Sequence, residues 1–444
     1  MSRVVGLDKS LLKNLRMTVS YFNMSTWIRT KNRYASTTLL IDEDGYFPTG
    51  LVKRVSKYFT ERHLPIHIAD NRIVPKHKPL NLIDRLIEPP LYPEQILGAH
   101  AIATNELGIL EMPTGIGKSR VIKEALARTQ RPTLVITPSG NLRQQTYDYL
   151  TESFGTDDVG LLKTHHDKPI IVTNFHALSS RDPVYFKQFS QLIFDEFHRS
   201  AADGVRDDFK NCLSEIYYRY GLTATNFKND PNSNIYLESV LSDTLYSVTT
   251  IDAINQGYIR PLVSFFFNMP NKNIKSKGNY KADVPLFIDN NQARNNIIIE
   301  NVKRMIQNNI PTIILVEHIG HGRQLQQALG KDALFLNGQD ESSAYNMQMV
   351  KKFNNLEIPC LIGTDVLGEG VDTKAAGAIF NCGGGKAESE LMQKCGRVVR
   401  NFKDKQVGYY FDFIDNGQKN LIAHSKKRMS IIEEVYGKSV NIIS

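Results

Sequence analysis

Short apolar runs alternate with helically patterned segments through most of the 444 residues, in two separate series. The first series comprises runs 108–112, 133–137, 170–173 and 192–194, with segments 94–104, 118–127 and 142–154 at helical spacing between them. The second starts near residue 290 and comprises 312–316, 333–336, 360–363, 377–381 and 408–413. Runs this short and continuously apolar predict strands buried on both faces, and the helices between them predict parallel sheets covered on each side. The chain is therefore expected to be α/β, with two such units in tandem.

Residues 1–90 follow another pattern. Leu39-Leu40-Ile41, a turn at Asp42-Glu43-Asp44-Gly45, and Tyr46-Phe47 predict a hairpin. Residues 50–63 place Leu51, Val55, Tyr58 and Phe59 at helical spacing, and 65–69 read as a further strand. This small α+β module ends at Glu88-Pro89-Pro90. The expected divisions are 1–90, 91–227, a connector at 228–289, and 290–444. The connector holds a polar segment at 268–283 with Lys272, Lys275, Lys277 and Lys281, read as a solvated linker or a hairpin.

Charge singles out the same N-terminal module. Residues 1–90 carry 15 Lys and Arg against 8 Asp and Glu, a net +7 out of +8 for the whole chain. Such an excess attracts a polyanion or simply forms a solvated basic face, and charge alone does not choose. With 41% apolar and 23% charged residues, the composition is that of a soluble globular protein. No run of about 18 apolar residues suggests a membrane span, and the first ten residues lack a secretory apolar stretch. Cys212, Cys360, Cys382 and Cys395 form no C-x-x-C pair, which fits reduced thiols and a cytoplasmic location.

Two segments carry chemistry. Leu110-Glu111-Met112-Pro113-Thr114-Gly115-Ile116-Gly117-Lys118-Ser119 ends an apolar run and opens a helix. The full phosphate-loop pattern has glycine where this chain has Met112. Its other parts are present: Gly115 and Gly117 let backbone N–H groups converge on phosphate, and the helix start adds positive potential. Lys118 can reach the β- and γ-phosphates, and the Ser119 hydroxyl can join a Mg²⁺ shell. The second segment, Gln191-Leu192-Ile193-Phe194-Asp195-Glu196-Phe197-His198, is an apolar strand ending in two carboxylates and a histidine. In a parallel sheet both segments emerge at the carboxyl edge, where ligands bind. One carboxylate can hold Mg²⁺, and the other can orient or deprotonate an attacking water.

Asp195-Glu196-Phe197-His198 resembles the D-E-x-H box of superfamily 2 helicases, and further motifs follow in that family's order. Thr137-Pro138-Ser139-Gly140-Asn141-Leu142-Arg143-Gln144-Gln145 looks like motif Ia, and Thr173-Asn174-Phe175 like motif Ib. Gly221-Leu222-Thr223-Ala224-Thr225 matches motif III, and Ile314-Leu315-Val316-Glu317-His318 fits motif IV loosely. Gly363-Thr364-Asp365-Val366-Leu367-Gly368-Glu369-Gly370-Val371-Asp372 resembles motif V. Gln393-Lys394-Cys395-Gly396-Arg397-Val398-Val399-Arg400 resembles motif VI, with Lys394 where arginine is common. The resemblance covers roughly residues 91–415.

The resemblance implies two tandem RecA-like lobes with ATP in the cleft between them. It gives Lys118 and Ser119 to phosphate and Mg²⁺, Thr114, Gly115 and Gly117 to the phosphate cradle, Asp195 to Mg²⁺, and Glu196 to water activation. It brings Gly370, Asp372, Gln393, Arg397 and Arg400 from the second lobe, where a guanidinium stabilises transition-state charge. Leu91-Tyr92-Pro93-Glu94-Gln95 partly matches the family's adenine-recognition segment, with Gln95 retained and Tyr92 able to stack. His198, Thr223 and Thr225 would link the ATP and nucleic-acid sites, although His198 also suits a core or capping role. Arg143, Thr173 and Thr364 become candidate backbone-phosphate contacts, with strand-end capping as the other reading of the two threonines. Arg29, Lys31, Arg33, Lys53, Arg54 and Lys57 become candidates for gripping duplex or branched DNA.

The compact size and the basic N-terminal module resemble those of phage-encoded branch-migration and fork-remodelling helicases. That implies a monomeric ATP-dependent DNA helicase of replication, recombination or repair, located in the host cytoplasm. An RNA helicase and an ATPase switch without unwinding are the alternatives.

Overall fold

The computed structural model describes residues 1–22, 37–178, 180–197, 213–224, 231–271, 273–339, 342–364, 367 and 371–443. The fold has two compact units, the first holding Met1–Met112 and Gly117–Ser247, the second Pro113–Ile116 and Val248–Ser444.

In the first unit, an N-terminal module contains strands β1 (Ser2–Arg3), β2 (Ser20–Phe22), β3 (Thr37–Leu39) and β4 (Tyr46–Phe47), with helices α1 (Lys9–Thr18) and α2 (Val52–Thr60). The expected turn forms, with Asp42 accepting from Asp44 and Tyr46 N–H at 3.0 and 2.8 Å. Its flanking strands do not pair with each other, however. β3 pairs antiparallel with β2, and β4 with β1. The two added strands and α1 let Leu15, Val19, Ile41, Phe47, Leu51, Val55, Tyr58 and Phe59 close one small core.

The main sheet of this unit contains β5 (Leu107–Glu111), β6 (Thr133–Thr137), β7 (Val159–Leu161), β8 (Ile170–Asn174), β9 (Gln191–Phe194), β10 (Tyr218–Thr223) and β11 (Thr244–Ser247). Its order is β11-β5-β10-β9-β6-β8-β7, parallel throughout. Helices α3 (Pro93–Thr104), α4 (Lys118–Thr129), α5 (Gly140–Phe154) and α6 (Pro231–Leu241) accompany it. The second unit's sheet contains β12 (Leu262–Met269), β13 (Thr312–Leu315), β14 (Ala333–Leu336), β15 (Cys360–Gly363), β16 (Ala378–Asn381), β17 (Gly408–Asp415) and β18 (Val440–Ile443). It runs β14-β15-β13-β16-β17-β12-β18, again parallel. Its helices include α7 (Gln292–Gln307), α8 (Ile319–Leu329), α9 (Ser343–Asn354), α10 (Glu388–Val398) and α11 (Lys419–Tyr436). The strands predicted for the two parallel sheets all form, and β7, β10, β11, β12 and β18 are added to them.

Three boundary expectations change. Residues 228–289 are not a separate connector, because α6 and β11 complete the first sheet while β12 pairs along its whole length with β17. Residues 65–90 contain no strand, and their later part lies along the first unit's sheet domain rather than extending the module. Leu80 N–H donates to Gln130 O, Arg85 N–H donates to Ser153 O, and Lys123 is bound by Asp84 and Glu88. The lysine-rich segment is not simply a solvated linker either. Buried Asp283 accepts from Ser276 Oγ and Lys277 N–H at 2.7 and 2.6 Å, tying it down.

The second unit encloses a buried, forked ion pair. Arg428 on α11 forks onto Asp412 of β17, Nε at 2.7 Å and Nη2 at 2.8 Å, with side chains 4% and 0% exposed. Tyr410 also donates to Asp412, at 2.7 Å. Removing one member of such a pair strands a buried charge, costing about 3–5 kcal/mol. Asp412→Ala should therefore lower the melting temperature of the full chain by roughly 5–15 °C in calorimetry. An unchanged melting temperature would show the pair to be dispensable.

Candidate nucleotide-binding and hydrolysis site

β5 leads directly into the phosphate-loop segment. Met112 continues the strand instead of turning away from it. Its N–H donates to Thr223 O at the end of β10 (2.8 Å), and its side chain is buried. A helix glycine, Gly98, faces its sulfur. This explains a methionine where the pattern has glycine: the residue extends the hydrogen bonding of β5 by one step, and its side chain is buried against α3. The turn itself is made at Gly115 and Gly117, whose φ values of 96° and 89° lie in the left-handed region that glycine adopts without strain. Gly117 caps α4 at its N-terminus, and Ser119 is exposed on the first turn. Thr114 Oγ1 is buried with no protein hydrogen-bond partner, as suits a hydroxyl that awaits a ligand.

Gln95 lies against this loop. It is 1% exposed, and its Oε1 accepts the Tyr92 N–H at 2.9 Å, which fixes the first turn of α3. Its Nε2 would sit 2.6 Å from a Cβ placed on Gly117, so the amide end faces the loop. Tyr92 is half-buried beside it.

The sheet order places β10 between β5 and β9, so Asp195 and Glu196 leave the same carboxyl edge two strands away from the loop. Asp195 N–H donates to Ile136 O at 2.9 Å, and its Oδ1 accepts the Glu196 N–H at 3.0 Å. Glu196 has a φ of 49°, an uncommon conformation for a residue with a side chain. The turn brings Glu196 Oε1 within 3.1 Å of Lys118 Nζ, with side chains only 11% and 9% exposed. Burial, followed by the adjacent Glu196 charge, pushes the Asp195 carboxyl up to about 6, against the opposing pull of Lys118. A lysine, two carboxylates, a helix start and a glycine turn thus converge on one sheet edge. That set can bind a polyphosphate, coordinate a hard cation and accept a proton from water.

Two packing residues were not legible as site components. Phe197 follows the carboxylates and is fully buried. Its ring and the Leu241 side chain occupy the space that a side chain on Gly221 would need. The signal was present only as an aromatic inside the acidic box and a glycine inside motif III.

In the second unit, Thr364 follows β15 at the carboxyl edge and is half-buried. Arg397, buried on α10, donates to Val371 O at 3.1 Å and Thr373 Oγ1 at 3.3 Å, and burial lowers its pKa to about 10. Arg400 pairs with Asp372, so motifs V and VI are held together by two arginines. Gln393 is half-buried on α10, and Lys394 donates to Asn381 at 2.9 Å. Asn354 adds a clamp that the motif reading missed, donating to Asp372 O at 2.7 Å and accepting from Ala375 N–H at 3.2 Å.

Of the candidate nucleic-acid contacts, Arg143 is half-buried on α5. Thr173 is fully buried, its hydroxyl turned to Asn174 O at 3.3 Å, so it presents no hydroxyl to a ligand. The basic module residues are also differently used: Arg54 binds Glu238, Lys53 binds Asp243 at 3.2 Å, and Lys57 binds Glu61 at 3.7 Å. Their charge is engaged by carboxylates of their own unit. Arg29, Lys31, Arg33, His198, Thr225 and Gly370 lie outside the described residues.

Comparisons with known proteins agree with this geometry. The model for the type III restriction enzyme res subunit matches residues 80–228, and that for the helicase conserved C-terminal domain matches 287–402. The ATP-dependent DNA helicase uvsW of Enterobacteria phage T4 is 22% identical over 371 residues, 78% of this chain and 72% of that protein. A DNA 3'-5' translocase of Sulfurisphaera tokodaii is 23% identical over 398 residues, 80% of this chain and 87% of that protein. The chain belongs to the superfamily 2 helicases. It is accordingly an ATP-hydrolysing enzyme. Among solved structures, a fragment of a putative HsdR subunit of a type I restriction enzyme from Vibrio vulnificus shares the fold, with TM-score 0.58 and 15% identity over 79% of this chain and 68% of that one. Among the described residues no helix is long and apolar enough to cross a membrane.

A raised carboxyl pKa means that the fold disfavours the ionised form, so the stability cost at Asp195 builds as pH rises above about 4 and is complete above about 6. Asp195→Asn should remove that cost and raise the melting temperature at pH 7.5 by about 2–4 °C, with a smaller gain at pH 5 and little below about pH 4, where the carboxyl is protonated in both the folded and the unfolded chain. An equal gain at both pH values, or a loss, would contradict this.

Proposed function

We propose that this chain is a monomeric ATP-dependent DNA translocase that unwinds or branch-migrates forked or junction DNA in replication, recombination or repair. The observation that carries the reading is the Lys118–Glu196 pair at the carboxyl edge of a sheet whose intervening strand ends in motif III. The two relatives reported above are named for acting on DNA, which favours DNA over RNA as the track.

Lys118 is assigned to the β- and γ-phosphates, with Thr114, Gly115 and Gly117 supplying the cradle. Gln95 and Tyr92 are assigned to adenine. The Ser119 hydroxyl and the Asp195 carboxylate are hard oxygen donors on one edge, a set that fits Mg²⁺. When bound there, Mg²⁺ supplies charge neutralisation to the phosphates. Glu196 is released from Lys118 once phosphate takes its place, and then accepts a proton from the attacking water. Gln393, Arg397 and Arg400 are assigned to transition-state charge, with Gly370 and Asp372 completing the nucleotide contacts. Thr223 couples the site to the track through the Met112 N–H that it accepts, together with Thr225 and His198. Arg143 and Thr364 are assigned to the nucleic-acid backbone.

Lys118→Ala should abolish ATP hydrolysis and strand displacement together while DNA binding remains within about threefold. Arg400→Ala should lower the hydrolysis rate by about 10³-fold with the nucleotide dissociation constant changed less than tenfold. Displacement that survives in Lys118→Ala would refute the motor reading.

A further inference from the structure

The N-terminal module meets the rest of the first unit chiefly through α6. The short turn Thr49–Leu51 packs so closely on this helix that a Cβ on Gly50 would collide with the carbonyls of Glu238 and Ser239. Ile235, also on α6, packs against the module's core of Leu51, Val55 and Phe59. Arg54 clasps Glu238 through Nε at 2.7 Å and Nη2 at 2.5 Å, and Lys53 pairs with Asp243 just beyond the helix.

The far side of the same segment touches the nucleotide machinery. Leu241, the last residue of α6, fills the space above Gly221 in motif III, shared with Phe197 from the acidic box. Asp243, which holds Lys53 by its carboxylate, accepts through its carbonyl the N–H of Ile109, at 3.0 Å. Ile109 lies in β5, three residues before Met112. One helix and the residue pair after it therefore touch the module on one side and motif III, the acidic box and the phosphate-loop strand on the other.

We infer that α6 is a transmission element, and that Arg54 and Glu238 are positioning residues that make the N-terminal module respond to the nucleotide state of the ATP site. The inference rests on the proposed assignment of that site. The module's basic helix face is the coupling joint, which accounts for Lys53 and Arg54 being engaged within their own unit. A glycine at position 50 allows backbone-to-backbone contact there, so motion of α6 is passed on without the slack of a long side chain. Packed elements move in discrete steps rather than by continuous deformation, which makes such a contact an effective relay.

Hydrogen exchange of the full chain, with and without magnesium and a slowly hydrolysed ATP analogue, tests this. The analogue should slow exchange at least about fivefold in both α6 and residues 49–60. Arg54→Glu or Glu238→Arg alone should abolish the response in 49–60 while the response at the phosphate loop persists. The double swap, Arg54→Glu with Glu238→Arg, should restore it, and the Lys53→Glu with Asp243→Lys swap provides a second pair if one variant fails to fold. No response of 49–60 in the wild type, a response that survives both single charge reversals, or failure of both swaps to rescue would each overturn the inference. Absence of strand displacement by the wild type would defeat the DNA reading but would leave this readout intact. Loss of the response at the phosphate loop in the wild type would instead defeat the assignment of the nucleotide site.

Discussion

A lysine and a glutamate held 3.1 Å apart with little solvent define this molecule's chemistry. Each would be costly to bury alone, and together they offset much of that cost. Their meeting depends on an unusual backbone. Lys118 opens a helix after two left-handed glycines, and Glu196 itself takes a positive φ at the end of β9. The positive φ of Glu196 is unfavourable in isolation, and both arrangements are held by a parallel sheet in which β10 lies between β5 and β9. The neighbouring Asp195, raised to about 6 by burial and by Glu196, adds further strain at the same edge.

The second unit solves a different problem with the same residue type. Arg428 is fixed by Asp412 deep in the core and does structural work. Arg397 and Arg400 grip the chain around Val371–Thr373, Arg397 through neutral oxygens and Arg400 through Asp372. Asn354 braces the same segment from α9.

Much of this was legible because buried parallel strands and phosphate loops have strong local signatures. The apolar runs gave the core strands within a residue or two, and the Gly-Lys-Ser and Asp-Glu segments marked residues that the fold brings together at one sheet edge. What was not legible depended on distance. β12 is as apolar as any strand, but it adjoins a polar lysine-rich segment, and its partner β17 is some 150 residues away, so it read as connector. The charges of Lys53 and Arg54 suggested a ligand because their carboxylate partners, Asp243 and Glu238, lie in another part of the chain. Thr173 matched a motif in type, yet one turn of its hydroxyl toward Asn174 O removes it from the surface. Met112 looked like a defect in a pattern and instead carries the hydrogen bonding of β5 one residue past its end. In each case pattern located the residue, and only packing told what it faced.

The central claim is that hydrolysis at this edge is driven by a DNA track. Steady-state ATP turnover should be measured alone and with single-stranded, forked and four-way DNA, and with RNA of matched sequence. The account predicts stimulation of at least about tenfold by DNA, greatest with forked or four-way substrates. Turnover that no nucleic acid stimulates, or that RNA alone stimulates, would contradict it.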